Sequence, residues 1–172
     1  MPVVPQVPSV SNPVNAPVVQ QNAGVNSAAV TTPTAVPVSN MTVSQQEMEA
    51  YEAAFGQIKQ KKYSDAIQSL SDYLTQYPTG AYVANAHYWL GELYAISGAS
   101  DKAISELTLV TTNFANSDKA PNAMLKLGNM AYDQNNLALA KDWWQKVQKQ
   151  YSNTSAARVA STRLQQLEKA GQ

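Results

Sequence analysis

The sequence contains no cysteine and one histidine, His87. The lack of cysteine excludes disulfides, thiolate zinc sites and thiol nucleophiles, and a single histidine excludes a metal site built on two imidazoles. No run of about 18 apolar residues occurs, so no segment is predicted to span a bilayer. Phosphate-binding, zinc-protease and serine-hydrolase motifs are also missing from the sequence. We therefore predict a protein that is not an enzyme and that needs no cofactor or metal.

Charge is missing from one part of the chain. The first 46 residues carry none, and all 12 basic and 12 acidic residues lie between Glu47 and Lys169. The net charge is zero and the isoelectric point is near 6.6. Because the chain has no excess of basic residues, neither nucleic acid nor an anionic membrane is expected as a partner.

Residues 1–44 are predicted to be a linker. They contain seven prolines, many valines and no aromatic residue. Proline at this density prevents helix formation and removes the donors that a sheet needs, while the lack of aromatics leaves nothing to form a core. A spacer at the start of a chain has nothing before it to separate, so we expect this sequence to be the C-terminal part of a longer protein.

The rest of the chain repeats with a period of 37 residues. Each unit has a small residue in its first helix: Ala54, Gly91 and Gly128. An alanine opens the second helix (Ala66, Ala103 and Ala140), and a bulky apolar residue follows four positions later (Leu70, Leu107 and Trp144). Each unit ends at an aromatic residue: Tyr77, Phe114 and Tyr151. This spacing is that of the tetratricopeptide repeat, lengthened by three residues.

The predicted fold is an all-α tetratricopeptide-repeat solenoid of three helix pairs and a C-terminal capping helix. The repeat domain covers 45–170, with repeats at about 47–79, 80–116 and 117–153 and the capping helix at 155–169. Helices are expected near 45–60, 63–76, 80–97, 100–113, 117–134, 137–150 and 155–169. The segment Ser44-Gln-Gln-Glu47 reads as a capping box that starts the first helix. Roughly three stacked repeats are needed to bury the apolar faces of such pairs.

A repeat stack offers a groove lined by its first helices. By register, the candidate binding residues there are Asn85, Tyr88, Glu92, Asn122, Asn129 and Tyr132. Amides can hold the backbone of an extended peptide while aromatic rings contact its apolar side chains. Asn85 and Asn122 stand one period apart, and because amides are poor helix formers their recurrence favours a function. A groove that captures terminal carboxylates needs several basic residues, and only Lys59 and Lys126 come near, so a chaperone-tail adaptor is disfavoured.

Several of these side chains also have a purely structural interpretation. Tyr51, Tyr88 and Phe55 are equally compatible with packing between helices. His87 precedes Tyr88-Trp89-Leu90 at a packing position, and no nucleophile can be paired with it, which favours a structural or surface role.

Four segments resemble one repeat family in detail. They are Tyr63-Ser-Asp-Ala66-Ile67 with Tyr77-Pro78, Ala86-His-Tyr88-Trp89-Leu90-Gly91-Glu92-Leu-Tyr94, Lys119-Ala-Pro121-Asn-Ala-Met-Leu-Lys126-Leu-Gly128, and Ala156-Ala-Arg158 with Arg163-Leu164. Over about residues 45–169 the chain resembles the C-terminal repeat domain of the TolA-binding proteins of the Tol-Pal system, also called the cell division coordinator family. The turn Asp133-Gln-Asn-Asn136 and the Ala-Ser before the second helix of repeat two depart from the family pattern.

The resemblance implies a non-enzymatic protein of the Gram-negative periplasm. Members have a signal peptide, a trimerising coiled coil, a low-complexity linker and this repeat domain, so the full-length protein is expected to be a homotrimer through a coiled coil that is missing here. Their implied partners are TolA and a bifunctional peptidoglycan synthase. Their implied role is to coordinate septal wall synthesis with outer-membrane constriction during cell division.

Other interpretations stay open on the sequence. One is a different periplasmic repeat scaffold, such as an outer-membrane assembly lipoprotein, against which the absence of cysteine argues. Another is an accessory domain of a cell-wall enzyme whose catalytic part lies upstream. A cytoplasmic repeat adaptor is a weaker option. The upstream reading frame separates these options. A heptad segment there favours the TolA-binding family, a lipobox the assembly lipoprotein, and a folded catalytic domain the enzyme accessory. The absence of an export signal favours the cytoplasmic adaptor.

Overall fold

The structure, a computed structural model, describes residues 43–170, and this part of the chain consists of seven helices. They are α1 Val43–Lys59, α2 Tyr63–Gln76, α3 Val83–Ile96, α4 Ser100–Asn113, α5 Ala120–Asp133, α6 Leu137–Gln150 and α7 Ser155–Ala170. The predicted linker lies outside the described residues except for its last two, which belong to α1. None of the helices described is long and apolar enough to cross a membrane.

The second helices of the pairs, α2, α4 and α6, have the predicted bounds. The predicted starts of α3 and α5 are wrong by three residues, because hydrogen-bonded turns occupy 80–82 and 117–119. The predicted capping box is wrong: the first helix was expected from residue 45 with Ser44 as its N-cap, but α1 begins at Val43, so Ser44 lies inside the helix. The Glu47 carboxylate of the predicted capping box reaches across to Tyr73, whose hydroxyl donates a hydrogen bond of 2.7 Å to it.

Each of the last two helix pairs depends on a glycine in its first helix. A Cβ on Gly91 would lie 2.6 Å from Cγ of Leu107, and a Cβ on Gly128 would lie 2.6 Å from the Trp144 ring. Because non-bonded carbon atoms pack at about 3.5–4.0 Å, only glycine fits at these crossings. Ala54, at the same position of the first pair, is completely buried. The prediction that small residues let the helices approach closely is confirmed.

The second helices supply the centre of the core at the predicted 37-residue spacing. The alanines and the bulky residues four positions later are at most 1% exposed; they are Ala66, Ala103, Ala140, Leu70, Leu107 and Trp144. Tyr77, Phe114 and Tyr151 are the C-caps of α2, α4 and α6. Their backbone N–H groups donate to the carbonyls of Tyr73, Val110 and Val147, which are themselves buried. This pattern confirms the three-repeat solenoid.

The turn inside each helix pair contains one residue with a positive φ. Lys61, Gly98 and Asn135 have φ of 60°, 78° and 60°, and they stand 37 residues apart. Glycine adopts this left-handed conformation without penalty and asparagine tolerates it, whereas lysine is strained there. In the third turn Asn136 caps α6 by accepting a hydrogen bond from the N–H of Leu139. The departure from the family pattern at 133–136 therefore still forms the same turn.

Helix α7 closes the stack. Its buried side, Ala156, Ala157, Ala160 and Leu164, packs in the cluster that holds Trp144 and Val147 of α6 and Met124 of α5. Its exposed side carries Arg158, Thr162, Arg163, Gln165 and Gln166. A helix with one apolar and one polar side ends a solenoid without leaving an open core, as the sequence predicts.

Two tyrosines have hydroxyl groups that burial keeps in the neutral form. Burial, followed by the hydrogen bond to Glu47, raises the pKa of Tyr73. Burial and, to a smaller extent, the nearby negative charge of Glu92 together raise the pKa of Tyr88 to about 12. Tyr88 packs against the cluster formed by Leu107 of α4 and Leu127 of α5. Both phenols are therefore part of the packed structure at neutral pH.

Replacing Gly128 by alanine is expected to destabilise the protein by about 1–3 kcal/mol, because the new methyl group collides with a buried tryptophan that cannot move aside. The matched control is Gly56→Ala, since Gly56 lies inside α1 with open space around it. Alanine there gains up to about 1 kcal/mol of helix propensity. Urea unfolding followed by circular dichroism measures both changes, and equal effects of the two substitutions would contradict the close helix crossing.

Alkaline pH is expected to destabilise the fold through Tyr88. Its folded pKa of about 12 lies above the ordinary value of 10.0, so the neutral phenol stabilises the folded state below pH 10. That contribution is lost as pH rises from 10 to 12, because the unfolded chain then releases the proton more readily. Urea midpoints of the wild type and Tyr88→Phe measured across this window check the effect. The variant should show the shallower decline, and parallel curves would be contrary to the account.

Candidate functional site

Helices α1, α3, α5 and α7 form a connected surface, and their exposed side chains are called the first-helix face below. The rings of Phe55 on α1 and Trp89 on α3 are 5.2 Å apart. The Lys126 ammonium on α5 lies 3.0 Å from Oε2 of Glu92 on α3. A cavity between α5 and α7 continues the face to Arg163.

The α1–α3 part of the face is aromatic. Beneath it the buried Tyr51 stacks on Tyr82, the residue before α3, with ring centroids 4.6 Å apart. On the surface the Lys59 ammonium lies 4.7 Å from the centroid of the Phe55 ring. Burial raises the pKa of the Tyr51 hydroxyl, and hydrogen bonds from the side chains of Trp89 and Asn85 oppose that rise. Asn85 thus has a partner inside the protein, which gives this amide a structural reason to occur in α3.

The centre of the face is neutralised by an ion pair. Glu92 and Lys126 join α3 to α5, and each side chain is less than a third exposed. A charge-assisted hydrogen bond of this kind is roughly twice as strong as a neutral one. The pair fixes the Lys126 side chain at the border between two cavities. It therefore positions the middle of the face and leaves no uncompensated charge there.

A cavity of about 260 Å³ lies between α5, α6 and α7. Its lining is Lys126, Asn129, Met130, Tyr132, Asp133, Trp144 and Arg163. Nε1 of Trp144 donates a hydrogen bond of 3.2 Å to Oδ1 of Asn129. That bond orients the amide, so the Nδ2 group of Asn129 is the donor available to a ligand.

Tyr132 gives the same cavity an apolar contact surface. Its ring lies 5.7 Å from that of Trp144, and 45% of the residue is exposed. The cavity therefore combines an exposed ring, an oriented amide donor and charges of both signs. Such a mixture suits a segment of polypeptide.

A second cavity of about 420 Å³ lies on the other side of α5. It is lined by Ala95, Ile96, Ser100, Lys126, Met130, Asp133 and Gln134. Ile96 at its edge is 59% exposed, the most exposed of the large apolar residues described. Lys126, Met130 and Asp133 separate the two cavities, so the carboxyl-terminal half of α5 is a ridge with a depression on each side.

The structure places two of the six predicted candidates, Asn129 and Tyr132, in the lining of the smaller cavity. Glu92 lines neither cavity but forms the ion pair with Lys126, which lines both. Asn85, Tyr88 and Asn122 lie nearer the amino-terminal ends of their helices. Asn85 is bonded to Tyr51, Tyr88 is packed between repeats, and Asn122 is half-buried one turn before Lys126.

Sequence reasoning missed two contributors to the face, Trp89 and Arg163. They belong to a column of residues at the 37-residue spacing, namely Glu52, Trp89, Lys126 and Arg163. The repeat register could have identified this column, because it lies one position after the column of Tyr51, Tyr88 and Leu125. Arg163 was considered only as part of the family resemblance, because it lies on the helix that was predicted to cap the stack.

His87 lies on another side of α3. Its Nδ1 is 2.6 Å from Oε2 of Glu106 on α4, and its ring stacks on Phe114 at 6.0 Å. These contacts join the two helices of the second repeat. Within residues 43–170 no three histidine, cysteine or acidic side chains come together as a metal site would need.

Comparison with known families identifies the repeats. The tetratricopeptide repeat family matches residues 50–80 and 122–154. These ranges overlap the first and third predicted units. The pair α3 and α4 lies between them and shows the same glycine crossing and C-cap.

Among curated proteins, the chain is similar to the cell division coordinator CpoB of Pseudomonas putida strain KT2440. The two are 46% identical over 48 residues, which are 28% of this chain and 18% of the relative. The match thus spans about a fifth of the length of that relative. The resemblance drawn from the sequence is supported over this stretch.

Solved structures with the same fold include two that hold peptides. The first is the Yersinia enterocolitica type III secretion chaperone SycD in complex with a peptide of the translocator YopD; it has a TM-score of 0.60 and 20% identity, and the match covers 73% of this chain and 91% of that one. The second is the first repeat domain of Spaghetti (RPAP3) bound to the HSP90 peptide SRMEEVD; it has a TM-score of 0.58 and 20% identity, and the match covers 74% of this chain and 94% of that one. The Sgt2 repeat domain of Aspergillus fumigatus has a TM-score of 0.56 at 20% identity, with coverage of 73% and 78%. Residues 43–170 therefore have the tetratricopeptide-repeat fold, and over 48 residues the chain is similar to a cell division coordinator.

Proposed function

We propose that this protein is a non-enzymatic interaction scaffold of the Tol-Pal system that binds TolA in the periplasm. Through that contact it helps to coordinate septal peptidoglycan synthesis with outer-membrane constriction during cell division. A bifunctional peptidoglycan synthase is proposed as a second partner, and a homotrimer as the state of the full-length protein.

The observation that carries the proposal is the 46% identity to a cell division coordinator over 48 residues. The strings Tyr88-Trp89-Leu90-Gly91-Glu92 and Leu125-Lys126-Leu127-Gly128 support the same family. They contain the glycines of the helix crossings and also Trp89, Glu92 and Lys126 of the first-helix face. The resemblance thus includes surface residues as well as core residues.

The geometry supports a binding surface more than a catalytic one. The cavities beside α5 are lined by two amides, one exposed tyrosine and charges of both signs, of which Lys126 is paired with Glu92, and neither histidine nor cysteine lines them. Aromatic residues and arginine are the side chains that most often dominate binding energy at protein interfaces. Tyr132 and Arg163 have this character and line one cavity.

Calorimetric titration of the 172-residue chain with the periplasmic part of TolA from the same organism tests the proposal. Tyr132→Ala is expected to weaken binding by about tenfold or more, as at interface positions that carry much of the energy. Leu139→Ala is the matched control, because Leu139 is similarly exposed at 42% but lies on α6, a second helix. It should change the dissociation constant by less than about twofold.

Circular dichroism of both variants checks that they remain folded, because the ring of Tyr132 packs beside the buried Trp144. Absence of saturable binding by the wild-type chain would refute TolA as the partner. Binding that weakens equally in both variants, with their helical content intact, would place the contact outside the first-helix face.

A further inference from the structure

The charges of the domain are separated along the stack. Residues 43–116 hold eight acidic and four basic side chains, whereas residues 117–170 hold four acidic and eight basic ones. The successive helices pack on one another in chain order. The two halves therefore carry net charges of opposite sign and equal size, although the whole chain is neutral.

The same separation appears on the helices that form the first-helix face. α1 has three glutamates and one lysine, and α3 has one glutamate. α5 has one lysine and one aspartate, and α7 has two arginines, one lysine and one glutamate. The net charge of the first helices thus rises steadily from negative at α1 to positive at α7.

The column Glu52, Trp89, Lys126 and Arg163 places this gradient on the exposed surface. Lys126 is compensated by Glu92 at 3.0 Å. Glu52 and Arg163 are exposed, and neither forms an ion pair within the part of the chain that the structure describes. The column therefore has one available negative charge at its α1 end, one available positive charge at its α7 end, and an aromatic residue and a neutralised pair between them.

From this arrangement we infer that the first-helix face binds an extended peptide segment of a partner with the opposite charge polarity. The basic residues of the bound peptide lie over Glu52 and α1, and its apolar residues lie over Trp89 and Tyr132. An acidic residue of the peptide enters the cavity beside Arg163. This inference rests on the proposed function, because it names the chemistry of the segment that the scaffold binds.

Complementary charge selects this polarity because a segment laid in the reverse sense would bring like charges together at both ends of the column. One carboxylate is expected in the cavity rather than several. Asp133 lines the same space and repels a second one, while the guanidinium of Arg163 and Nδ2 of Asn129 can both donate to the first. The gradient thus fixes the direction in which the partner crosses the repeats.

The test uses a random 12-residue peptide library displayed on phage and selected against the 172-residue chain. Selected peptides are expected to carry basic and acidic residues at opposite ends, with apolar residues between. The best of them, synthesised with a fluorophore, is measured by anisotropy, and a photoreactive group at its acidic end should cross-link to α7. Arg163→Glu and Glu52→Lys should each weaken its binding by about tenfold.

Two matched controls make the same changes of helix charge elsewhere. Arg158→Glu alters α7, where Arg158 lines a different cavity with Gln148 and Ser152, and Glu49→Lys alters α1 outside the column. Each should change binding by less than about twofold, since exposed charges away from the contact are screened by salt. Equal losses in column and control variants would overturn the inference, because a general field would then explain them.

Other results would also overturn it. They are the selection of no peptide, selected peptides without charge segregation, and cross-linking of the acidic end to α1. Head-to-tail association of the chain at low salt, lost in Arg163→Glu, would show that the occupant is a second copy. The experiment contains no TolA, so polarised peptides that bind while TolA does not would keep this inference and remove only the partner named above.

Discussion

The close crossing of the two helices in each pair is the constraint on which the rest of the structure depends. At Gly91 and Gly128 the distance between helices leaves no room for a methyl group. This contact buries Leu107 and Trp144, and those side chains also reach the clusters shared with the following helices. Because the crossing recurs every 37 residues, each first helix presents equivalent positions to the same side. The binding surface is thus a consequence of how the core is packed.

Trp144 connects the core directly to the binding surface. Trp144 fills the space above Gly128, and its indole N–H orients the Asn129 amide that lines the smaller cavity. The ring of Tyr132 packs beside the same tryptophan. The core of the third repeat therefore fixes two groups of the candidate site in place before any partner binds. Preorganisation of this kind lowers the entropy lost on association.

The sequence predicted the fold well because the residues that determine it are local and periodic. The alanines, bulky residues and aromatic caps of α2, α4 and α6 stand at one spacing, and these helices have their predicted bounds. The starts of α3 and α5 were misplaced because the turns at 80–82 and 117–119 run directly into the helices. The contact of Glu47 with Tyr73 joins positions 26 residues apart, and no local pattern indicates it.

The candidate site was predicted less completely, for a physical reason. Register alone places a residue on a face, but whether its side chain is available depends on partners from other helices. The Asn85 amide interacts with the Tyr51 hydroxyl, and Tyr88 packs against the core. Asn129 and Tyr132, in contrast, remain accessible beside Arg163. The available residues lie at the carboxyl-terminal half of α5, where α3 and α7 leave space on both sides.

The most direct measurement is a nuclear magnetic resonance titration of the ¹⁵N-labelled 172-residue chain with the periplasmic part of TolA. The account predicts that perturbed amides cluster on the exposed side of α5 and α7 around Asn129, Tyr132 and Arg163, and extend along α3 to Trp89. Perturbations confined to the exposed sides of α2, α4 and α6 would contradict the claim that the first-helix face is the binding surface.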